Sequence, residues 1–188
     1  MTITGLSAIL GCARSSIIPV CLLRNGCSAM ADDPVHGYYD GPDQFRSERL
    51  RRLYAYWDSA RGDRLFPLMA AIDPAALRDF LPDILVIDVT NQEEPRYRLV
   101  GTGYREFFNR DFTGVLVAEA GFPESEFIAR RQSAAAKDGK PRLGWYQWLS
   151  ASGVDYQVET ILLPFGEAGI VKRLLGMEDL DQARGHKL

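Results

Sequence analysis

From residue 43 onward, apolar and polar positions alternate first with a helical and later with a strand period. Leu50, Leu53, Tyr54 and Trp57 recur at i, i+3, i+4 and i+7, so a helix beginning at Asp43 carries one apolar stripe. Arg46, Glu48, Arg49 and Arg52 occupy its other faces, and Gly62 is the expected stop. A second, shorter helix is predicted from Asp73 as N-cap, with Pro74 at the first helical position and Pro82 just past the end. Ile84–Val89 is β-branched and apolar, as a buried strand should be. After a turn over Asn91–Pro95, Arg96–Val100 alternates, which puts Tyr97 and Leu99 on one face and Arg96, Arg98 and Val100 on the other.

Gly101-Thr102-Gly103 then leads into a short helix holding Phe107 and Phe108, followed by a turn at Asp111-Phe112-Thr113-Gly114. A third helix spans about Ser125–Lys137 and closes at Asp138-Gly139. Three strands complete the pattern, at about Arg142–Ser150, Asp155–Leu163 and Ile170–Glu178, with Ser152-Gly153 and Gly166–Gly169 as hairpin loops. Two strands, a helical crossover and a three-stranded meander predict an α+β domain: a five-stranded antiparallel sheet, helices on one face, and an N-terminal amphipathic helix. Its span is 43–188.

The region before it reads differently. Residues 1–29 contain Arg14 and Arg24 but no acidic residue, and the first basic residue follows Ile9-Leu10, the reverse of an export signal. Neither Ile3–Cys12 nor Ile17–Leu23 approaches the roughly 20 apolar residues of a bilayer span. The reading is a disordered tail, or a start assigned too early with Met30 as the working start. Ala31–Pro42, rich in Asp, Gly, Pro and Tyr, reads as a linker, so that 1–42 is tail and linker together. A cytoplasmic location is the expectation.

Composition narrows the chemistry. In 188 residues the net charge is -3, which argues against nucleic acid as the main partner. Cys12, Cys21 and Cys27 all precede Met30, and the two histidines are His36 and His186. The middle of the chain therefore offers no Cys–His nucleophile, no Ser–His–Asp triad, no thiolate zinc site and no thiol for a flavin adduct.

Local motifs add a family resemblance. Tyr56-Trp57-Asp58 with Arg61-Gly62 and Phe66-Pro67 forms an opening block. Ile72-Asp73-Pro74 and Leu81-Pro82 follow, then Tyr97-Arg98-Leu99-Val100-Gly101-Thr102 and Asn109-Arg110-Asp111-Phe112-Thr113-Gly114. These motifs resemble those of a bacterial family of short, stand-alone PAS-like domains, with Asn109 where such members usually carry Gly. Both residues tolerate a left-handed backbone. The resemblance implies the PAS sensor fold and a sensory or binding role without naming a ligand or cofactor. Partners in keeping with that role are a small molecule, a second copy bound through the first helix, or a separate signalling protein.

Several residues invite a functional reading. Tyr97, Leu99, Phe108, Trp145 and Tyr156 are the candidate ligand contacts, since their rings and side chains suit a flat or apolar molecule. Alternation separates Trp145 from Tyr146 and Trp148, so one set packs in the core and the other meets the first helix or a dimer surface. Leu50, Leu53, Tyr54, Trp57 and Arg98 are structural or interface candidates. Arg98 is expected to fasten the first helix to the sheet through an acid such as Asp58, with anion binding as its alternative. Asp111, Thr113 and Gly114 read as a capped loop, with Asp111 and Thr113 on a pocket rim as the alternative. Gly101-x-Gly103 lacks the third glycine of a dinucleotide fingerprint, where Glu106 stands, and reads as a tight turn. Glu159 lies among Val158, Ile161, Leu162 and Leu163, which offers either a perturbed acid–base group or an outward residue paired with an arginine such as Arg173. Three functions remain: a ligand sensor without catalysis, a ligand-free docking or dimerisation module, and an enzyme built on Glu159. A sensor of this kind should hold a cavity of roughly a few hundred Å³, a docking module a filled core.

Overall fold

A computed structural model describes residues 35–89, 94–122, 124–149 and 155–181, without the side chains of residues 148, 149, 155 and 156. The three cysteines, His186 and the expected tail lie outside the described residues, as do Asn91 and the Ser152-Gly153 turn.

Six antiparallel strands form one sheet: β1 (His36–Tyr38), β2 (Ile84–Asp88), β3 (Arg96–Val100), β4 (Arg142–Leu149), β5 (Asp155–Glu167) and β6 (Ile170–Glu178), in the order β1-β4-β5-β6-β2-β3. The expected α+β class and its five strands are present, and β1 is an addition. It lies in the stretch read as a linker, whose Gly and Tyr content disguised it. Gly37 pairs with Trp145, and a Cβ on Gly37 would fall 2.5 Å from the indole Nε1. The glycine that reads as a turn is what lets the edge strand pass under a tryptophan.

Helix α1 (Glu48–Arg61) starts five residues later than the periodicity suggests. Pro42–Gln44 form a separate 3-10 turn, Phe45 is extended and fully buried, and Ser47 caps α1 through the Leu50 amide. Leu50, Leu53 and Trp57 are buried, and the Trp57 indole donates to the Pro164 carbonyl of β5 at 2.8 Å. The stripe through which dimerisation was expected is therefore spent on the chain's own sheet, with Tyr54 left half-buried. The helix expected after Asp73 is instead a run of turns through Phe80 and a 3-10 turn at Leu81–Asp83. Asp73 does accept the Ala75 amide at 2.9 Å. The bonds then mix three- and four-residue spacings, and Pro82, with no amide hydrogen, prevents a regular continuation.

Helices α2 (Thr102–Phe108) and α3 (Ser125–Asp138) complete the fold, close to their expected bounds. Asn109 is left-handed (φ 50°) at the end of α2, the conformation that suits Asn in place of Gly. A Cβ on Gly101 would fall 2.2 Å from the Pro82 carbonyl oxygen, so the glycine that opens α2 serves close backbone packing.

One face of the sheet carries α1 and the other faces α3. Neighbouring residues of β5 serve opposite faces: Val158, Thr160 and Leu162 on the α3 side, Glu159, Ile161 and Leu163 on the α1 side, all buried. Glu159 thus belongs to neither expectation. It is 0% exposed and accepts hydrogen bonds from the Ser47 amide (2.9 Å), the Arg46 amide (3.0 Å) and the Tyr39 hydroxyl (2.9 Å). The Arg46 guanidinium lies 3.6 Å away. Burial, and then the bond to Glu159, push the Tyr39 hydroxyl up to about 12. Arg173 pairs instead with Asp88 at 2.9 Å, and Asp58 pairs with Arg61 within α1. Arg98 also points to Asp88, at 3.4 Å, and is exposed, so it does not tie α1 to the sheet.

A carboxylate that holds two amides at the start of α1 has no replacement nearby. Glu159→Gln retains one acceptor oxygen and strands the rest of these donors, so a loss of about 1–3 kcal/mol is expected by urea unfolding. An unchanged midpoint would show that α1 is anchored without this carboxylate.

Candidate functional site

On the α3 side, β2, β3 and β6 form the floor of a cavity roofed by α2, α3 and the turn at residues 111–115. It has two chambers that share Leu85, Tyr97, Ile128, Tyr146 and Glu178. The outer chamber, about 30 Å³, adds Tyr104, Phe108, Phe112 and Phe122. Two ring pairs meet edge to face, with centroids 5.0 Å apart for Tyr97 and Phe112 and 5.4 Å for Phe112 and Phe122, while Tyr104 and Phe108 stack. The inner chamber, about 20 Å³, is bounded by Arg131 and Gln132 of α3 and by Thr160 and Leu162 of β5. The open space is far below the few hundred Å³ expected of a roomy sensor. Each chamber suits about one or two waters or a very small group.

Polar groups are concentrated where the chambers meet. The Tyr146 hydroxyl donates to the Glu178 carboxyl at 2.5 Å, and the Glu178 amide donates to the Tyr104 hydroxyl at 2.8 Å. Burial pushes the Glu178 carboxyl above its ordinary 4.5, against the opposing pull of the Tyr146 bond and of Arg131. Burial also pushes the Tyr97, Tyr104 and Tyr146 hydroxyls up, so they stay protonated donors across the physiological range. The Arg131 Nε and Nη2 atoms and the Gln132 Oε1 atom are buried without a hydrogen-bond partner. Arg131 is turned toward β1, its guanidinium carbon 5.9 Å from the centre of the Tyr38 ring.

Of the expected ligand contacts, Tyr97 and Phe108 line this cavity. Leu99 does not: it is 43% exposed. Val86 faces Leu99 while Ile87 faces Tyr97, so Arg98 is an unpaired bulge residue and the alternation shifts by one. Val100 takes the inward place instead. Trp145 pairs with Glu159 and therefore shares the α1 face. The Tyr156 side chain lies outside the described ones. Asp111 accepts the Thr113 amide at 2.9 Å, and this bond above all lowers its carboxyl below the ordinary value. With Gly114 left-handed behind it, the Asp111–Gly114 segment is a capped loop whose residue 114 amide donates to Tyr97 on the free edge of β3.

Arg131, Gln132 and Glu178 were missed. A signal existed for the first two: Ile128, Arg131, Gln132 and Ala135 keep the spacing of a core-facing stripe, with polar residues in its middle. Glu178, two positions from Gly176 and four from Leu174, likewise sits on the inward register of β6.

A second depression of about 340 Å³ opens at the surface between Arg64–Leu68 and the β5–β6 hairpin. Leu65 and Leu68 are exposed there. Among the described residues no cluster of His, Cys, Asp or Glu is placed to hold a metal, and no helix is long and apolar enough to cross a membrane.

A family model described as PAS domain matches residues 45–178. No curated protein matches the chain. Among solved structures it is similar to an RNA-binding light-oxygen-voltage receptor at 20% identity and a TM-score of 0.41, covering 61% of this chain and 34% of that one. The chain thus spans about a third of that receptor's length. A PAS domain from Colwellia psychrerythraea is similar at 19% identity and a TM-score of 0.40, covering 56% of this chain and 95% of that one. The PAS domain of Bordetella pertussis BvgS follows at 21% identity and 0.38, covering 60% and 93%.

The buried Glu178 carboxyl carries a pH signature. Its folded-state value lies above its unfolded one, so the native state holds the proton more tightly. The contribution of Glu178 to stability should be greatest below the ordinary value of 4.5 and fall as pH rises from there through the folded-state value. Glu178→Gln should remove that part of the slope in urea midpoints measured across the interval. A variant with the wild-type slope would show that Glu178 titrates normally.

Proposed function

The chain belongs to the PAS domain family, and on that premise we propose that it is a sensory module whose signal is occupancy of the two-chambered cavity by a small molecule, with no catalysis of its own. The observation that carries this reading is the set of buried polar atoms without hydrogen-bond partners on residues that line the cavity. Protein cores satisfy such atoms almost without exception, because each unmet group costs on the order of 1–3 kcal/mol. A ligand that supplies the missing partners removes that cost.

The sheet offers a route from the cavity to α1. Thr160 bounds the inner chamber while Glu159, its neighbour in β5, anchors the start of α1 on the opposite face. Glu178 of β6 bounds both chambers, and the amide of the next residue, Asp179, donates to the Glu159 carbonyl at 3.0 Å. A ligand that shifts β5 or β6 therefore displaces the anchor of α1 as well. Such a response requires the ligand to bind one position of α1 better than another. Output passes to a separate protein or a second copy. Glu159 does not serve as an acid–base catalyst in this reading, since its oxygens are committed to the α1 anchor.

Docking without a ligand has two observations of its own, the nearly filled core and the surface depression with exposed Leu65 and Leu68. Native mass spectrometry of the gently purified full chain separates the two. The sensor reading expects a reproducible added mass that disappears on denaturation. A spectrum of the bare chain, with no small molecule retained, favours docking.

A further inference from the structure

We propose that the inner chamber binds a small carboxylic acid, its two oxygens gripped by one edge of the Arg131 guanidinium and its apolar part directed toward the aromatic chamber. This deepens the sensor reading and rests on it. The inference starts from which atoms of Arg131 lack partners. They are Nε and Nη2, and not a scattered pair. In a planar guanidinium these two nitrogens present parallel N–H bonds along one side, the spacing that matches the two oxygens of a carboxylate. An arginine shielded merely by accident has no reason to leave that whole edge unmet.

The neighbouring groups fit the same ligand. Glu178 does not complete the fork: its carboxyl receives the Tyr146 hydroxyl, and no ion pair joins it to Arg131 among the described contacts. Burial raises the Glu178 carboxyl above its ordinary value, against the pull of the Tyr146 bond and of Arg131. Gln132 is 2% exposed, and its Oε1 asks for a donor such as a hydroxyl on the ligand or a water entering with it. The chambers measure about 20 Å³ and 30 Å³, which restricts the guest to a short chain. Phe112 and Phe122 give the apolar end a place to lie. Inorganic phosphate has no apolar end and leaves that chamber unfilled.

Calorimetric titration of the full chain with propionate and butyrate, each beside its amide, tests the assignment, with inorganic phosphate as a further control. At least one acid should bind tenfold or more tightly than its amide and raise the melting temperature, while phosphate does neither. Arg131→Lys keeps the charge but removes the fork, and should weaken the acid at least tenfold with little effect on the amide. Gln132→Glu, which brings a negative charge to the chamber wall, should act in the same direction, and circular dichroism establishes that each variant is folded. Amides that bind as tightly as acids, or acid affinity unchanged in both folded variants, would overturn the carboxylate assignment. If a neutral molecule proves to occupy the cavity, the assignment fails while the sensor reading stands. If neither acids nor amides bind and the purified chain carries no small molecule, both fail.

Discussion

The arrangement of this domain depends on how one buried carboxylate is satisfied. Glu159 stands in the middle of β5 with no exposure to solvent, and a charge in that position is tolerated only when surrounded by donors. Those donors come from a single stretch of chain: Tyr39 by its hydroxyl, Arg46 and Ser47 by their amides. Because Ser47 is also the N-cap of α1, the carboxylate decides where that helix begins. Trp57, nearly three turns on, bonds to the Pro164 carbonyl of the same strand. Two points separated along α1 are thus pinned to one strand, and the apolar side chains between them fall onto the sheet.

Across the sheet the same accounting does not close. Glu178, Tyr104 and Tyr146 are bonded, but one edge of Arg131 and the acceptor of Gln132 are not. The contrast within one small fold is informative. The chain surrounds one buried carboxylate with donors, while on the other face two nitrogens of a second buried ion have no hydrogen-bond partner among the described residues. Residues 159 and 160, and residues 178 and 179, are consecutive and serve opposite faces or elements, so both accounts are held by the same pair of strands.

Much of the fold was legible because periodicity survives wherever one face of an element is buried. β2, the three late strands, α3 and the stripe of α1 follow from it directly. What escaped did so for local reasons. β1 is three residues long and built around a glycine that must pass under Trp145, so it reads as a linker. The segment after Asp73 has the cap of a helix but meets Pro82 before regular bonding is established. The site suffered more than the fold. A single bulge at Arg98 turned Leu99 to solvent and Val100 inward, and no residue type announces a bulge in a five-residue strand. Trp145 was drawn in by its aromatic ring, although register with Glu159 puts it on the α1 side. Tyr97 and Phe108 were found because aromatic residues are conspicuous. Arg131 and Gln132 were overlooked because polar residues on a helix are read as solvated unless the stripe around them is traced.

The most direct measurement is a crystal structure of the protein as purified from cells, at a resolution that shows ordered water. The account predicts density for a small acceptor, two atoms wide, against the Nε–Nη2 edge of Arg131 inside the fold. An Arg131 side chain swung into solvent, or paired with Glu178 so that every buried polar atom is met within the chain, would contradict it.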